Sequence, residues 1–384
     1  MEPMPETPTD EPALSWPASV AASGTGGHSP LEKVIAEEIL PRLSAVNRPT
    51  KILDTSGIFW TPLKSRGVKG TKVNDRCRIY TREGKVIGGR DGDGTSLTSD
   101  LAERILLTKS SVKAHLQSAG LPVPEGRVFS AGDRDAAEAY MKSLDGLVAV
   151  KPNGRTSGAG VSTGVGDGKR FLAAWRSAAA AATKAEPPRP WDPASLAGEG
   201  VDQLLVEPDD AGLALRVFVT GENVVGAVVR LPMFVLGDGI HPVGELIEEL
   251  YAWRDQHALL RRLTPRENVL EGRLERLGIS PKAIPGSGEV CRLQEGPSMQ
   301  RGGLSLDVTN RLDPALKQLA IEARWAIPGM LAAGIDISVP RISSSRGVVI
   351  GVNDRASQQL HLYPTFGASR QVAQGIVDLF IQRA

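Results

Sequence analysis

The sequence is poor in cysteine, nearly balanced in charge and free of long apolar runs, and each shortage removes a class of protein. Two cysteines, Cys77 and Cys291, in 384 residues cannot make a disulfide framework, and nothing around them has zinc-ligand spacing. Both read as packing residues. The five histidines, His28, His115, His241, His257 and His361, stand singly, which removes the usual zinc signatures. Lys and Arg number 45 against 44 Asp and Glu, a net charge of +1, where a general nucleic-acid binder would show a basic excess. No stretch of roughly 18 apolar residues exists to span a membrane. The opening MEPMPETPTDEPALSWPAS has no basic region leading into an apolar core, so it does not read as a secretory signal, and the cytoplasm is the default location.

What is present is enough apolar material for real cores: 41% of the residues are hydrophobic. The length predicts two or three structural units, because single cores stop growing at roughly 250–300 residues. Residues 1–30, with six prolines and a glycine-rich end, read as a disordered tail. Leu31, Val34, Ile35 and Ile39 then recur at helical spacing before Pro41. Strands are predicted at KILDTSGIFW (51–60), RCRIY (76–80), LVAV (147–150), QLLVE (203–207), ALRVFV (214–219), NVVGAVVR (223–230) and GVVIGV (347–352). GKVIGGRDGDGTS (84–96) reads as a strand and a turn; its DGDG lacks the later acid of a calcium loop. Helical patterns fill 97–119 up to Gly120, 245–263, 314–327 and 371–383, and an Ala-rich helix from 173 runs into a Pro-rich linker by 195. The mixture reads as α+β (mixed α/β).

The chemistry gathers first at VAVKPNGRTSGAGV (148–161). A β-branched strand delivers Lys151 into a loop with Gly154, Gly158 and Gly160. A strand-end lysine can neutralise phosphate oxygens, and glycines let backbone N–H groups approach them. It is neither a Walker A loop nor a dinucleotide fingerprint, since the glycine spacing fits neither. By itself this segment is equally a glycine-rich surface turn.

Its neighbours in the chain narrow the reading. LTKSSVKAHLQSAGLPVPEG (107–126), QLLVEPDDAGLALRVFV (203–219), RLPMFVLGDGIHPVGELIEE (230–249), GGLSLDVT (302–309), AAGIDIS (332–338), RGVVIGVND (346–354) and LHLYPTFGASR (360–370) follow in an order that resembles the ATP-grasp ligases. The resemblance is to the ATP-grasp parts of cyanophycin synthetase and bifunctional glutathione synthetase, and covers roughly 97–384. It implies an ATP-grasp fold with a short N-terminal pre-grasp domain at 31–106, a small lid subdomain with the glycine-rich loop at 107–212, and a C-terminal subdomain at 213–384 for metal and substrate. It also implies a reaction: ATP phosphorylates a carboxylate, an amine attacks the acyl phosphate, and an amide, ADP and phosphate result. The implied cofactors are ATP and magnesium, and the implied assembly is a homo-oligomer. Without a Mur-ligase-like extension or a glutamate–cysteine ligase half, the chain suggests a free-standing ligase for a specialised metabolite. The alternative is a catalytically silent nucleotide-binding partner or regulatory protein.

Residue by residue, the resemblance assigns Lys109, Lys151, Ser157, Gly158 and Gly160 to the phosphates and Glu207 to the adenine end. Arg216 and Arg230 face the transferred phosphoryl group, where a guanidinium suits a buried phosphate because it stays charged and binds in a bidentate way. Asp336 and Asn353 fall at metal positions. Lys113 reads as surface charge. His361 is placed near the substrate without a catalytic role, and His241 is a lone loop histidine. Four departures stand out: Gly351 replaces a metal-bridging glutamate, Ala214 replaces a ribose-binding acid, Thr108 replaces an acidic neighbour of Lys109, and SMQRGG (298–303) introduces Arg301. An arginine there suits a carboxylate-bearing substrate and reads equally well as loop charge.

Overall fold

The computed structural model describes residues 29–154, 158–183, 202–209, 212–294 and 296–383. The expected tail to residue 28, Ser157 and most of the linker before Gln203 lie outside them. The described chain is a succession of sheets covered by helices. Strands β1 (Lys69–Lys72), β2 (Cys77–Arg82), β3 (Lys85–Asp91) and β4 (Gly94–Thr95) form an antiparallel meander. Next come β5 (Arg127–Ser130), β6 (Val148–Pro152), β7 (Ser162–Val165) and β8 (Gln203–Pro208), in sheet order β5-β8-β6-β7. The rest of the chain adds β9 (Leu213–Thr220), β10 (Asn223–Leu231), β11 (Phe234–Leu236), β12 (Val290–Arg292), β13 (Leu304–Asp307), β14 (Ala332–Val339) and β15 (Val348–Asn353). Five of these make the sheet β13-β10-β9-β14-β15, while β11 and β12 pair on their own.

The five-stranded sheet shows how the period of two sorts side chains. On β9, Leu213, Leu215, Val217 and Val219 are buried on one face, joined by Ala333, Ile335, Ile337 and Val339 of β14. Helix Pro314–Trp325 packs on β9, β10 and β14, burying Leu316, Ala320 and Ala323 in that core. The intervening residues, Arg216 and Asp336 among them, are thereby turned to the opposite face. Gly221, at φ 57°, opens the two-residue turn between β9 and β10, where that backbone favours glycine. The four-stranded sheet has its own core, in which Phe171, Trp175 and Ala178 of helix Gly168–Thr183 cover Val148, Val150, Leu204 and Val206.

Two expectations are corrected. KILDTSGIFW is not a strand: helix Thr55–Ser65 starts inside it, because Asp54 caps the helix by accepting from the Gly57 N–H at 2.7 Å. Ile58, Phe59 and Leu63 then fall on one buried face in a core shared with Tyr80 and Phe380. The 245–263 pattern is two helices, Val243–Asp255 and Ala258–Leu263. His257 caps the second: its Nδ1 accepts from the Leu259 and Leu260 N–H groups at 3.2 and 3.1 Å. Burial lowers this imidazole to about 4, so it is neutral and able to accept.

Candidate active site

Two charged clusters face one another. The first is built where helix Lys109–Ser118 meets the four-stranded sheet. Lys151, on β6, forms an ion pair with Glu207, which on the neighbouring β8 stands opposite Ala149, one pleat back, and Lys113 pairs with the other Glu207 oxygen at 2.5 Å. Lys113 is therefore not surface charge. It lies one helical turn from Lys109, so both point toward the same wall, and its Nζ also donates to the Pro124 carbonyl at 2.6 Å. Burial alone would raise the Glu207 carboxyl; Lys151 and Lys113 together bring it below its ordinary value.

Among the described residues, Lys109 has no carboxylate of its own. Its Nζ donates to the carbonyls of Pro152 (2.7 Å) and Gly154 (2.8 Å) at the base of the glycine-rich loop. Burial, reinforced by Lys151, lowers it to about 7. Asn153, which sequence reasoning passed over, fixes this corner. Fully buried, it accepts from Ser110 N–H at 3.0 Å and donates to Ser110 Oγ and Gln203 Oε1. Thr108 caps the helix through Ser111 N–H at 3.2 Å, a role its hydroxyl fills without an acidic side chain. In the loop, Gly158 and Gly160 have φ of 82° and 68°. Gly160 also packs so tightly on helix Gly168–Thr183 that a Cβ would meet Ala181 Cβ at 2.5 Å.

The second cluster is on the polar face of the five-stranded sheet. Arg216 and Asp336 are cross-strand partners on β9 and β14, and Arg230 on β10 lies opposite Ala214, one pleat along. Arg216 binds Asp336 through Nε (2.5 Å) and Nη2 (2.8 Å), and Arg230 Nη2 reaches the same carboxylate at 2.8 Å. Burial would raise the Asp336 carboxyl, but Arg216 and Arg230 outweigh it and Lys151 adds to the lowering. That contribution from Lys151 means the two clusters lie within electrostatic reach of one another. Gly351 stands opposite Asp336 on β15, and Asn353 opposite Gly334, so Asn353 is on the same face.

His361 lies on this same face, edge-on to Phe218, two residues along β9 from Arg216, with ring centroids 5.6 Å apart. It is fully buried, with no hydrogen-bond partner for either ring nitrogen among the described residues, and burial plus Arg216 and Arg230 lower it to about 3. Arg301 is in a short turn, Met299–Arg301, and lines a different small cavity. His241 forms a loop ion pair with Asp238, which raises its pKa.

No group of three or more His, Cys, Asp or Glu among the described residues could hold a metal unaided. The donors on the polar face nevertheless suit magnesium, which is usually held by one or two carboxylates together with substrate phosphates. Asp336 and Asn353 offer a carboxylate and a carboxamide oxygen on one face.

This pair of sheets has the ATP-grasp fold. No family model matches the chain. The glutathione biosynthesis bifunctional protein of Pasteurella multocida is 26% identical over 307 residues, covering 76% of this chain and 37% of that protein. Cyanophycin synthetase of Nostoc is 27% identical over 327 residues, covering 82% of this chain and 34% of that one. The crystal structure of the Pasteurella multocida bifunctional glutathione synthetase superposes with a TM-score of 0.55 at 21% identity, over 86% of this chain and 44% of the other. The chain thus spans well under half the length of these curated relatives. No helix among the described residues is long and apolar enough to cross a membrane.

Proposed function

We propose that this chain is an ATP-dependent ligase that joins the carboxylate of an amino acid or small peptide to an amine through an acyl phosphate. The observation that carries the reading is a surplus of cations in two clusters near enough for Lys151 to act on Asp336. Lys109, Lys151 and Lys113 outnumber Glu207 on one side, and Arg216 and Arg230 outnumber Asp336 on the other. Surplus positive charge in both clusters suits a polyphosphate and the charge that develops during phosphoryl transfer.

In this reading Lys109 and Lys151 hold the nucleotide phosphates, with Gly158, Gly160 and Ser157 approaching from the loop of a lid spanning 107–212. Glu207 positions Lys151 and lies toward the adenine. Arg216 and Arg230 orient the carboxylate and the phosphoryl group it accepts, and Asp336 and Asn353 hold magnesium, which would shield charge along the phosphates. The substrate carboxylate takes the terminal phosphoryl group from ATP, leaving ADP. The amine then forms the C–N bond as phosphate leaves with the C–O bond, and the amine gives up a proton. Closure over the site keeps water from the mixed anhydride. The 26–27% identity to glutathione and cyanophycin enzymes supports this chemistry. A supply of ATP and the two unpaired cysteines suit a cytoplasmic setting. A homo-oligomer is part of the proposal and is checked by light scattering.

The test is hydroxylamine trapping: protein, ATP, magnesium and a panel of amino acids and dipeptides, scored for hydroxamate and ADP. Hydroxamate with one acid is expected. Nucleotide binding without hydroxamate from any acid would replace the ligase with a silent nucleotide-binding protein.

A further inference from the structure

One row of cross-strand partners runs across the polar face of the five-stranded sheet: Asp307 on β13, Val228 on β10, Arg216 on β9, Asp336 on β14 and Gly351 on β15. The row holds two carboxylates, and only Asp336 belongs to the charged cluster. Asp307 lies three strands away, roughly 14 Å at the ordinary strand spacing, and its two oxygens bind Arg370 at 3.1 and 2.8 Å. Asn353 offers a carboxamide oxygen that accepts from the Arg355 N–H at 2.9 Å and keeps a second lone pair. Asp354 follows in a turn, its side chain 4% exposed and 3.5 Å from Arg355 Nε. That guanidinium also reaches Glu103, on helix Asp100–Ile105, away from the sheet.

The charge of divalent ions decides what a pair of them needs. Two such ions about 4 Å apart repel one another strongly, and carboxylates beside both must offset the repulsion. A second carboxylate would have to stand next to Asp336, and its neighbour there is Gly351, which leaves the space open. The other neighbours are fixed cations. Arg216 and Arg230 both bind Asp336, and Arg230 Nε has no partner among the described residues, a donor that Asp336 does not use. A second ion would enter beside two guanidiniums with one carboxylate to offset them all.

The net charge agrees. Among the described residues, Lys109, Lys113 and Lys151 exceed Glu207 by two charges, and Arg216 and Arg230 exceed Asp336 by one. Lys109 counts here as charged, the form that a bound phosphate favours. Fully ionised ATP and a substrate carboxylate bring roughly five negative charges. One divalent ion raises the positive surplus to the same size, and a second would overshoot it.

We propose that this site takes a single divalent cation, held by Asp336, Asn353 and the nucleotide phosphates, because Gly351 withholds the second carboxylate, and that Arg216 and Arg230 supply the charge a second ion would bring. The assignment rests on the ligase reading and deepens it. Guanidiniums suit the task, since they stay charged when buried and bind phosphate in a bidentate way.

The test counts Mn2+ on the full chain saturated with the non-hydrolysable analogue AMPPNP, by electron paramagnetic resonance. One Mn2+ per chain is expected, with the spectrum of an isolated ion. Gly351→Glu is expected to take two, with the spin coupling of neighbouring ions. Two coupled ions on the unaltered protein would overturn the proposal, as would no bound Mn2+ at all, or a folded Gly351→Glu protein that still takes one. The count on the unaltered protein decides the matter even where a variant at 351 fails to fold. Hydroxamate trapping reports on the ligase reading separately. A protein that forms hydroxamate and holds two coupled ions loses the single-ion assignment alone.

Discussion

Arg216 holds both carboxylate oxygens of Asp336, at 2.5 and 2.8 Å, although 120 positions separate them in the chain. Arg230 adds a third contact to the same group. A carboxylate so occupied is a poor ligand for a free cation, and a phosphate that draws the guanidiniums away would release it.

The nucleotide-free protein should therefore bind divalent cations weakly, and loosening the cage should strengthen binding. Arg230→Met is expected to raise Mn2+ affinity several-fold, read from the Mn2+ electron paramagnetic resonance signal. An unchanged affinity would mean that the arginines do not screen Asp336.

Gly351 leaves room beside that carboxylate: a Cβ there would meet only Asp336 Oδ2 at 3.6 Å and Cβ at 3.8 Å. Gly351→Glu should fold normally, with a melting-temperature change of no more than about 4 °C, and should bind Mn2+ at least tenfold more tightly, because ligand charge raises cation affinity. Hydroxamate assays on the same variant would report whether catalysis gains or loses from the second acid.

Lys109, held near 7 by burial, makes nucleotide affinity depend on pH. The charged lysine is the form that attracts phosphate, so ATP affinity should fall as pH rises above about 7, by up to tenfold per unit from this group. Stability runs the other way. Between about 7 and the unfolded value of 10.5, the unfolded chain holds a proton that the folded one lacks, so the free protein gains stability as pH rises through that window. Lys109→Met should flatten both profiles, measured by titration and by denaturant melts.

Glu207 is sandwiched between Lys151 and Lys113, and removing it strands two largely covered ammonium groups. Glu207→Ala should cost about 3–5 kcal/mol in urea unfolding, the usual penalty for breaking a buried pair from one side. Lys113→Met should cost less, since Lys151 still neutralises the carboxylate. Equal losses would contradict this division of roles.

His361 has two buried ring nitrogens without a partner among the described residues, and its pKa of about 3 keeps it neutral under ordinary conditions. His361→Phe should leave stability unchanged or higher, because apolar replacement removes unsatisfied polar atoms. If the residue only packs beside Arg216, hydroxamate formation will also persist. A selective rise in KM for the acid with kcat unchanged would instead give His361 the substrate role expected from the sequence.

Much of the architecture was legible in the chain because local rules carried it. Apolar runs marked the strands bearing Glu207, Arg216 and Arg230, and a β-branched run marked the one bearing Lys151. The order of motifs pointed to the fold. Where two local signals conflicted, the sequence misled: the β-favouring KILD and IFW hid the Asp54 cap that starts a helix. Lys113 was misread because helical spacing shows which residues share a face but not what the face meets, and its partner Glu207 comes from a strand 94 residues on.

By itself, the sequence determined which residue types were available and in what order: lysines and glycines near one strand end, arginines on two successive strands, and a glycine where the resembled family carries a glutamate. Only the tertiary structure decided who neutralises whom. It brought Lys151 and Lys113 onto Glu207 and closed Arg216 and Arg230 on Asp336. The physical reason is that the strength and meaning of a charge depend on distance and burial, and both are set by segments far apart in the chain.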